Sequence, residues 1–234
     1  MKKSKILLFV LILFISTSFI FAGYYFEQQS TSSGPRGEKT KLNKTWLESG
    51  KIRIDSNKVI TIIDSSKNTV LMIQPTKKTY SQMSLDKFQD MVSMGMKMMK
   101  QMMKSKNNGI KVTITGETKV IDGYPCYKVI TNMFGIKTIS WYSKKVGIPR
   151  EMYMEISKIT MSKEDFDALT NNPEFKKIKG FPVESTTTMS FMGMNMKTVT
   201  KLIKFTKMNI PSSIFNYNLS GFTKKDVNMG RGGM

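Results

Sequence analysis

Alternation of apolar and polar residues with a period of two recurs along the chain and predicts many short β-strands. Within residues 51–55, Ile52 and Ile54 point to one face while the charged residues point to the other. Residues 59–63 and 69–73 are apolar on both faces, which predicts a hairpin covered on each side. Further strands are predicted at residues 24–29, 41–47, 79–83, 110–115, 127–133, 136–142 and 151–156, and as a long hairpin between residues 181 and 205.

One stretch, Ser84 to Lys104, has the period of an α-helix and contains seven of the 21 methionines. Ser84 is its predicted N-cap, and Gly109 follows its end. At about 100° per residue its apolar positions fill an arc of roughly 200°, where a helix on a core needs only about 100°. The helix therefore has more apolar surface than one neighbour would cover. The arc consists of Leu85, Phe88, Met91, Val92, Met94, Met96, Met98, Met99, Met102 and Met103.

The order of these elements predicts the fold class. Short strands separated by turns indicate an antiparallel sheet, not a parallel sheet with crossover helices. Residues 30–37, rich in Ser, Gly and Pro, predict a loop, and a short helical region opens at Ser162 and again at Asn172. We expect an α+β fold, in which a curved antiparallel sheet or half-open β-barrel of about ten strands wraps around one long methionine-rich helix.

The N-terminus predicts export from the cytoplasm. Three lysines precede an almost entirely apolar run from Ile6 to Phe21, which is the form of a secretory signal peptide cleaved after Ala22. An uncleaved membrane anchor is the alternative. Cleavage leaves one domain at residues 23–227, a disordered tail at residues 228–234, and a periplasmic or secreted location.

The charge is strongly positive and restricts the class of partner. The formal net charge is +20, and removal of the signal peptide lowers it to +17 because three lysines and no acid are lost. Such a charge favours anionic partners, including an anionic membrane surface. Nucleic acid is not expected, because the protein is exported and its lysines do not form one stripe with aromatic residues. The single cysteine, Cys126, excludes an intramolecular disulfide and is predicted to be a small buried residue.

The sequence lacks the residues and motifs of common enzymes. It has no histidine, which excludes Ser-His and Cys-His nucleophile pairs and the commonest zinc ligand. It has no phosphate-binding glycine loop, no nucleophile elbow and no acidic calcium loop. We therefore predict a non-enzyme that has no cofactor and no metal site built from these residues.

The methionines allow one metal hypothesis. Thioether sulfurs are soft ligands that suit Cu(I). Residues 94–96 and 192–194 both read Met-Gly-Met. On a helix, Met94 and Met96 project about 200° apart, which suits packing on two sides better than chelation. A methionine-based Cu(I)-handling protein of the envelope remains the alternative to an apolar surface.

Several short motifs resemble one known family. The sharpest is a Gly-Tyr-Pro-Cys turn preceded by a Thr-Gly-Glu-Thr-Lys strand. This motif lies in residues 115–126, and the other motifs lie in residues 50–54, 63–64, 75–80, 141–142 and 180–183. They resemble an exported bacterial family of domains of unknown function, which is itself similar to the LolA, LolB and LppX-like lipoprotein and lipid carriers. The resemblance runs from Tyr24 to about Phe222. It implies a half-open antiparallel barrel with a helical lid over an apolar cavity, and it transfers no catalytic residue.

Pattern and resemblance together predict a non-enzymatic carrier outside the cytoplasm. It would hold an acyl chain, a lipid or another hydrophobic ligand between the sheet and the long helix, while its basic rim attracts an anionic head. A structural or interaction module whose own side chains fill the core is a third hypothesis. The predicted ligand-binding residues are Phe88, Met91, Met94, Met98, Met99, Met102 and Trp141.

Overall fold

The computed structural model describes residues 23–35, 37–102, 109–191 and 194–226. The expected signal peptide at residues 1–22 and the expected tail at residues 228–234 lie outside the described residues.

Within the described residues, twelve strands form one curved, open sheet. Their order across the sheet is β12, β6, β5, β4, β3, β2, β1, β11, β10, β9, β8 and β7, so β12 and β7 are its two edges. All neighbours are antiparallel except β12 and β6. The strands are β1 (Gly23–Gly34), β2 (Gly37–Glu48), β3 (Lys51–Ser56), β4 (Val59–Asp64), β5 (Thr69–Gln74), β6 (Thr79–Ser84), β7 (Ile110–Ile121), β8 (Tyr124–Met133), β9 (Ile136–Ser143), β10 (Phe181–Phe191), β11 (Met194–Met208) and β12 (Thr223–Lys224).

The described residues also contain four α-helices and two 3-10 helices. The α-helices are α1 (Leu85–Met102), α2 (Arg150–Thr160), α3 (Lys163–Asn171) and α4 (Pro173–Lys177), and the 3-10 helices are Pro75–Lys77 and Ser212–Phe215. The curved antiparallel sheet and the long helix were predicted; the closure of the sheet toward a barrel is not seen, because its edges do not pair with each other.

Two local predictions are wrong. The predicted strand at residues 151–156 lies in α2, where Pro149 is the N-cap residue and Glu151 lies in the first turn. Its apolar residues fit both a period of two and the 3.6 period of a helix, which brings Ile156 and the buried Ile159 onto one side. Residues 30–34, predicted as a loop, continue β1, because their backbone pairs with both β2 and β11.

The predicted hairpin of β4 and β5 is covered on both faces, as expected. Ile63 and Val70 are buried on one face in the main apolar cluster. Ile62 and Ile73 are buried on the other face. The 3-10 helix Ser212–Phe215 lies on this second side of the sheet. Arg53, which pairs with Ile62 and shares its face, donates a hydrogen bond of 2.9 Å to the carbonyl of Ile214.

Gly180 allows the chain to approach β9 closely before β10 begins. Its φ of +83° lies in the left-handed region, and a Cβ there would stand only 2.0 Å from the carbonyl oxygen of Ser143. A larger residue would displace the start of β10, where Phe181 packs on Phe26 and Tyr153 in the core.

Candidate functional site

The helices lie on one face of the sheet, which we call the helix-side face. Tyr142 of β9 identifies it, because this buried side chain packs in one cluster with Leu169 of α3 and Phe175 of α4. The strands have two ends. We call the end where β1 begins at Gly23 the base and the end where β1 finishes at Gly34 the rim.

At the base, the helix-side face forms the main core. Its strands contribute apolar side chains that are almost completely buried, and α1 and α2 pack on them. Because these residues come from adjacent strands in register, they form a continuous apolar layer. The layer includes Tyr24, Leu47, Ile52, Ile63, Val70 and Met83.

Helix α1 starts at the base and crosses the helix-side face to the rim. Its first turn is fixed by Ser84, whose hydroxyl accepts a hydrogen bond of 3.2 Å from the backbone N–H of Lys87. Near its other end, Lys100 pairs with Asp165 of α3 at 2.6 Å and lies 3.9 Å from the ring centroid of Phe134. Phe134 lies in the turn between β8 and β9, at the rim.

Apolar side chains in the N-terminal half of α1 pack against the core, whereas three methionines of its C-terminal half are exposed. Phe88 and Met91 pack against the main core. Met94, Met98 and Met102 are 52%, 53% and 50% exposed. These three residues, which we call the methionine stripe, are one turn apart and therefore lie on one flank of the helix.

The methionine stripe lies on the flank away from the other helices. Gln89 donates a hydrogen bond to the carbonyl of Lys158 in α2, and Lys100 reaches α3. At 100° per residue, Met98 projects about 180° from Gln89. The flank that carries the stripe is therefore not covered by α2 or α3.

The remaining predicted site residues do not all join this surface. Met99 is half-buried on α1. Trp141 alternates with Tyr142 along β9 and so points to the opposite face of the sheet. There the Nζ of Lys119 lies 4.3 Å from its ring centroid and forms an ion pair of 2.9 Å with Glu184. Six of the seven predicted residues therefore lie on α1, whereas Trp141 lies on β9, where it borders the main apolar cluster as Phe88 and Met91 do.

Toward the rim, the helix-side face changes from apolar to hydroxylated, a feature that the sequence analysis missed. Eight hydroxyl side chains form two rows across β9, β10, β11 and β1. They are bonded as four pairs: Ser30 with Thr200 at 2.9 Å, Ser32 with Thr198 at 2.9 Å, Thr138 with Thr187 at 3.1 Å, and Ser140 with Ser185 at 2.8 Å. We call these eight residues the hydroxyl patch. Ser and Thr are common in strands and loops alike, so only the register shows that they converge.

Cys126 belongs to the main apolar cluster and not to the methionine stripe or the hydroxyl patch. It is buried, and burial raises the pKa of its thiol although Lys119 acts in the opposite direction. A thiol that stays protonated is a poor nucleophile. Its predicted role as a small buried residue is consistent with this position.

The described residues contain no group of three or more His, Cys, Asp or Glu side chains that could hold a metal ion. None of their helices is long and apolar enough to cross a membrane.

A family model described as Domain of unknown function (DUF4412) matches residues 32–218. This agrees with the resemblance of the sequence motifs to a family of domains of unknown function. A search of curated proteins gave no match.

Solved structures give similarities at low identity. The chain is similar to PNGF-II, with 14% identity and a TM-score of 0.38 over 88% of this chain, and it spans only 31% of that protein. It is similar to an uncharacterized conserved protein from Thermus thermophilus, with 6% identity and a TM-score of 0.45 over 93% of this chain and 98% of the other. It is also similar to a LolA superfamily protein from Nitrosomonas europaea, with 8% identity and a TM-score of 0.37 over 85% and 92% of the two chains. These TM-scores do not establish a shared fold, so the fold rests on the strand order and register described above.

Proposed function

The chain belongs to the family described as Domain of unknown function (DUF4412), and we propose that it is an exported, non-enzymatic carrier or binding protein for a hydrophobic ligand. An acyl chain, a lipid or another apolar molecule would lie on the helix-side face, with α1 as its lid. This proposal assigns ligand contact to Met94, Met98, Met99 and Met102. Phe88 and Met91 support the lid from below.

The observation that carries the proposal is the exposure of the methionine stripe. Three large apolar side chains in a row leave about half of their surface in contact with water. Removal of such apolar surface from water by a bound ligand is favourable by about 25 cal/mol per Å². Methionine is flexible and polarisable, and it therefore adapts to apolar ligands of different shapes.

The incomplete packing of the apolar side chains of α1 argues against a core filled entirely by the protein's own side chains. None of its described residues is buried, although its N-terminal half contacts the core. A helix that served only as a structural plug would cover its apolar arc with protein. The uncovered flank is instead open to a ligand.

The basic surface supports a ligand or membrane with negative charge. The formal net charge of +20 includes Lys39 and Lys41, which are exposed on the helix-side face opposite Ser32 and Ser30. Positive charge near an apolar surface attracts the anionic head of an amphiphile and an anionic bilayer alike. The proposed carrier would therefore load or deliver its ligand at such a membrane.

The same stripe supports a second candidate function, Cu(I) handling. Met94, Met98 and Met102 present three soft sulfur atoms one turn apart on an exposed flank. Anaerobic titration of the protein with Cu(I) tests this candidate. A tight complex that disappears in the variant M94Q/M98Q/M102Q would favour it, and no binding of Cu(I) would eliminate it.

Native mass spectrometry tests the carrier proposal directly. Protein purified from its own cell envelope should carry a lipid or another apolar molecule. Added fatty acid or lysolipid should raise the melting temperature, because a ligand that binds only the folded state stabilises it. The triple variant M94Q/M98Q/M102Q should lose both effects.

A matched control is available on β11. Ile203 is 53% exposed, as the stripe residues are, but it lies on a different element. The variant I203Q removes a similar exposed apolar group and should bind ligand as the wild type does. Absence of any co-purified molecule, together with no shift in melting temperature, would contradict the carrier proposal.

A further inference from the structure

We propose that the hydroxyl patch binds the headgroup of the ligand, and that this headgroup carries several hydroxyl groups, as a polyol or a sugar does. The inference rests on the proposed function, because it assigns the polar part of the same ligand. It divides the helix-side face into an apolar wall, formed by the methionine stripe, and a polar floor.

The position of the hydroxyl patch supports this division. Ser140 alternates with Tyr142, which packs on α3 and α4, so the patch lies on the face that carries the helices. Seven of its eight residues are half-buried, and Ser140 is buried. Two rows across four strands make a floor of about 14 Å by 7 Å. Such a floor is wide enough for a sugar headgroup.

The chemistry of the patch matches a partner that both donates and accepts hydrogen bonds. In each bonded pair, one hydroxyl donates its proton and the other accepts it. The second hydroxyl of each pair still has a proton to donate, and the pair has lone pairs to spare. A row of such pairs can therefore bind hydroxyl groups in either role.

Asn43 adds an independent observation. Its side-chain oxygen is buried and is the one buried side-chain N or O atom, among the described residues, that has no hydrogen-bond partner. Asn43 of β2 pairs with Gln28 of β1. Gln28 lies two residues before Ser30 and therefore on the same face of β1. A buried acceptor without a donor costs free energy. A hydroxyl group of a headgroup that displaces the atoms covering this oxygen would supply that donor.

The patch is bounded by residues that suit an amphiphile. On its rim side, Met189 and Met196 are paired in register on the same face. On its β2 side lie the exposed Lys39 and Lys41. Within the rows themselves there is no acidic side chain that would repel a phosphate attached to the polyol or sugar.

Two detergents with the same alkyl chain test the inference. Dodecyl maltoside has a hydroxyl-rich head, whereas dodecyldimethylamine oxide has no O–H donor. Both are titrated calorimetrically into lipid-free full-length protein, below their critical micelle concentrations. We expect the maltoside to bind about tenfold more tightly, the effect of one or two net hydrogen bonds.

The variant T187V/T198V removes one hydroxyl from each of two pairs and keeps a side chain that suits a strand. It should bind both detergents equally, because only its affinity for the maltoside falls. The matched control is T186V, since Thr186 is the neighbour on β10 that faces the opposite side with Ile139 and Val199. T186V should keep the tenfold preference.

Equal binding of the two detergents by the wild type, or a preference that persists in T187V/T198V, overturns the headgroup inference but leaves the carrier proposal standing. Failure of both detergents to bind overturns the carrier proposal and the inference with it. If the double variant does not melt cooperatively, T187V and T198V are measured singly against the same prediction.

Discussion

The base and the rim of the helix-side face share β1, β10 and β11 but differ in what their side chains do. At the base, Leu47 and Val70 are completely buried in the main core. Toward the rim, β1, β11, β10 and β9 carry Ser and Thr on this face, and all of them except the buried Ser140 are half-buried. Helix α1 repeats this difference, because Met91 packs at the base while Met98 is exposed.

The difference separates stability from binding within one sheet. Burial of apolar side chains at the base stabilises the fold. Hydroxyl pairs add little to the stability of the fold, because each hydrogen bond between two hydroxyls replaces hydrogen bonds to water. Exposed methionines also add little, because their side chains stay in contact with water. A ligand surface can therefore occupy the rim without weakening the core.

The largest expected effect is at the base. The variant L47A should lower the free energy of unfolding by about 2–5 kcal/mol, since it leaves a cavity in a fully buried site. Urea denaturation measures this change. L42A, in the same strand, is the control, because Leu42 is 38% exposed and its truncation should cost less than about 1 kcal/mol. Similar losses in the two variants would contradict the assignment of the core to the base.

A smaller effect is expected where α1 reaches the rim. Asp165 is only 4% exposed, and it pairs with Lys100 and accepts a hydrogen bond from the hydroxyl of Ser162. The variant K100M leaves this buried carboxylate without its cation and should cost about 1–3 kcal/mol in urea denaturation. K97M is the control, because Lys97 is exposed on the same helix. A K100M protein as stable as K97M would show that α1 is not anchored at this end.

Much of the base could be predicted from the sequence. The hairpin of β4 and β5 has apolar residues on both faces and a turn at residues 65–68, and both features depend on neighbours in the chain. Ser84 and Ser162 were predicted as caps for the same reason, and both accept hydrogen bonds from the first turn of their helices.

The rim could not be predicted in the same way, because its properties depend on distant strands. Ser30 and Thr200 are 170 residues apart in sequence and meet only through the pairing of β1 with β11. The exposure of Met98 depends on where α2 and α3 pack. Trp141 was predicted to contact the ligand because it is an apolar residue of a predicted strand, although the pleat of β9 turns it to the other face.

The acid sensitivity of the base gives a third prediction. Asp64, in the turn after β4, accepts hydrogen bonds from the hydroxyl and N–H of Ser66 and from the N–H of Lys67. Burial acts to raise the pKa of Asp64, but the hydrogen bonds and Lys67 outweigh it and hold that pKa below its usual value. A carboxyl with a lower pKa in the folded state stabilises the protein above its unfolded pKa. That contribution is lost as the pH falls through the folded pKa.

The variant S66A removes the hydrogen bond from the hydroxyl of Ser66 to Asp64. Between neutral and acidic pH, its free energy of unfolding should therefore fall by less than that of the wild type. Its effect on the free energy of unfolding at pH 7 should be about 1 kcal/mol. Urea denaturation at a series of pH values measures both. S65A is the matched control, because the side chain of Ser65 makes no hydrogen bond to Asp64 among the described residues. An unchanged pH dependence in S66A would contradict the assignment.

The smallest effect on stability is expected in the methionine stripe. M98Q should change the free energy of unfolding of the ligand-free protein by less than about 0.5 kcal/mol, because half of the side chain is already in water. M91Q places a polar group against the main core and should cost about 1–3 kcal/mol. Urea denaturation of both variants, which lie about two turns apart on the same helix, compares base and rim directly. If M98Q were as costly as M91Q, the stripe would be part of the core, and its exposure could not be the property that a ligand uses.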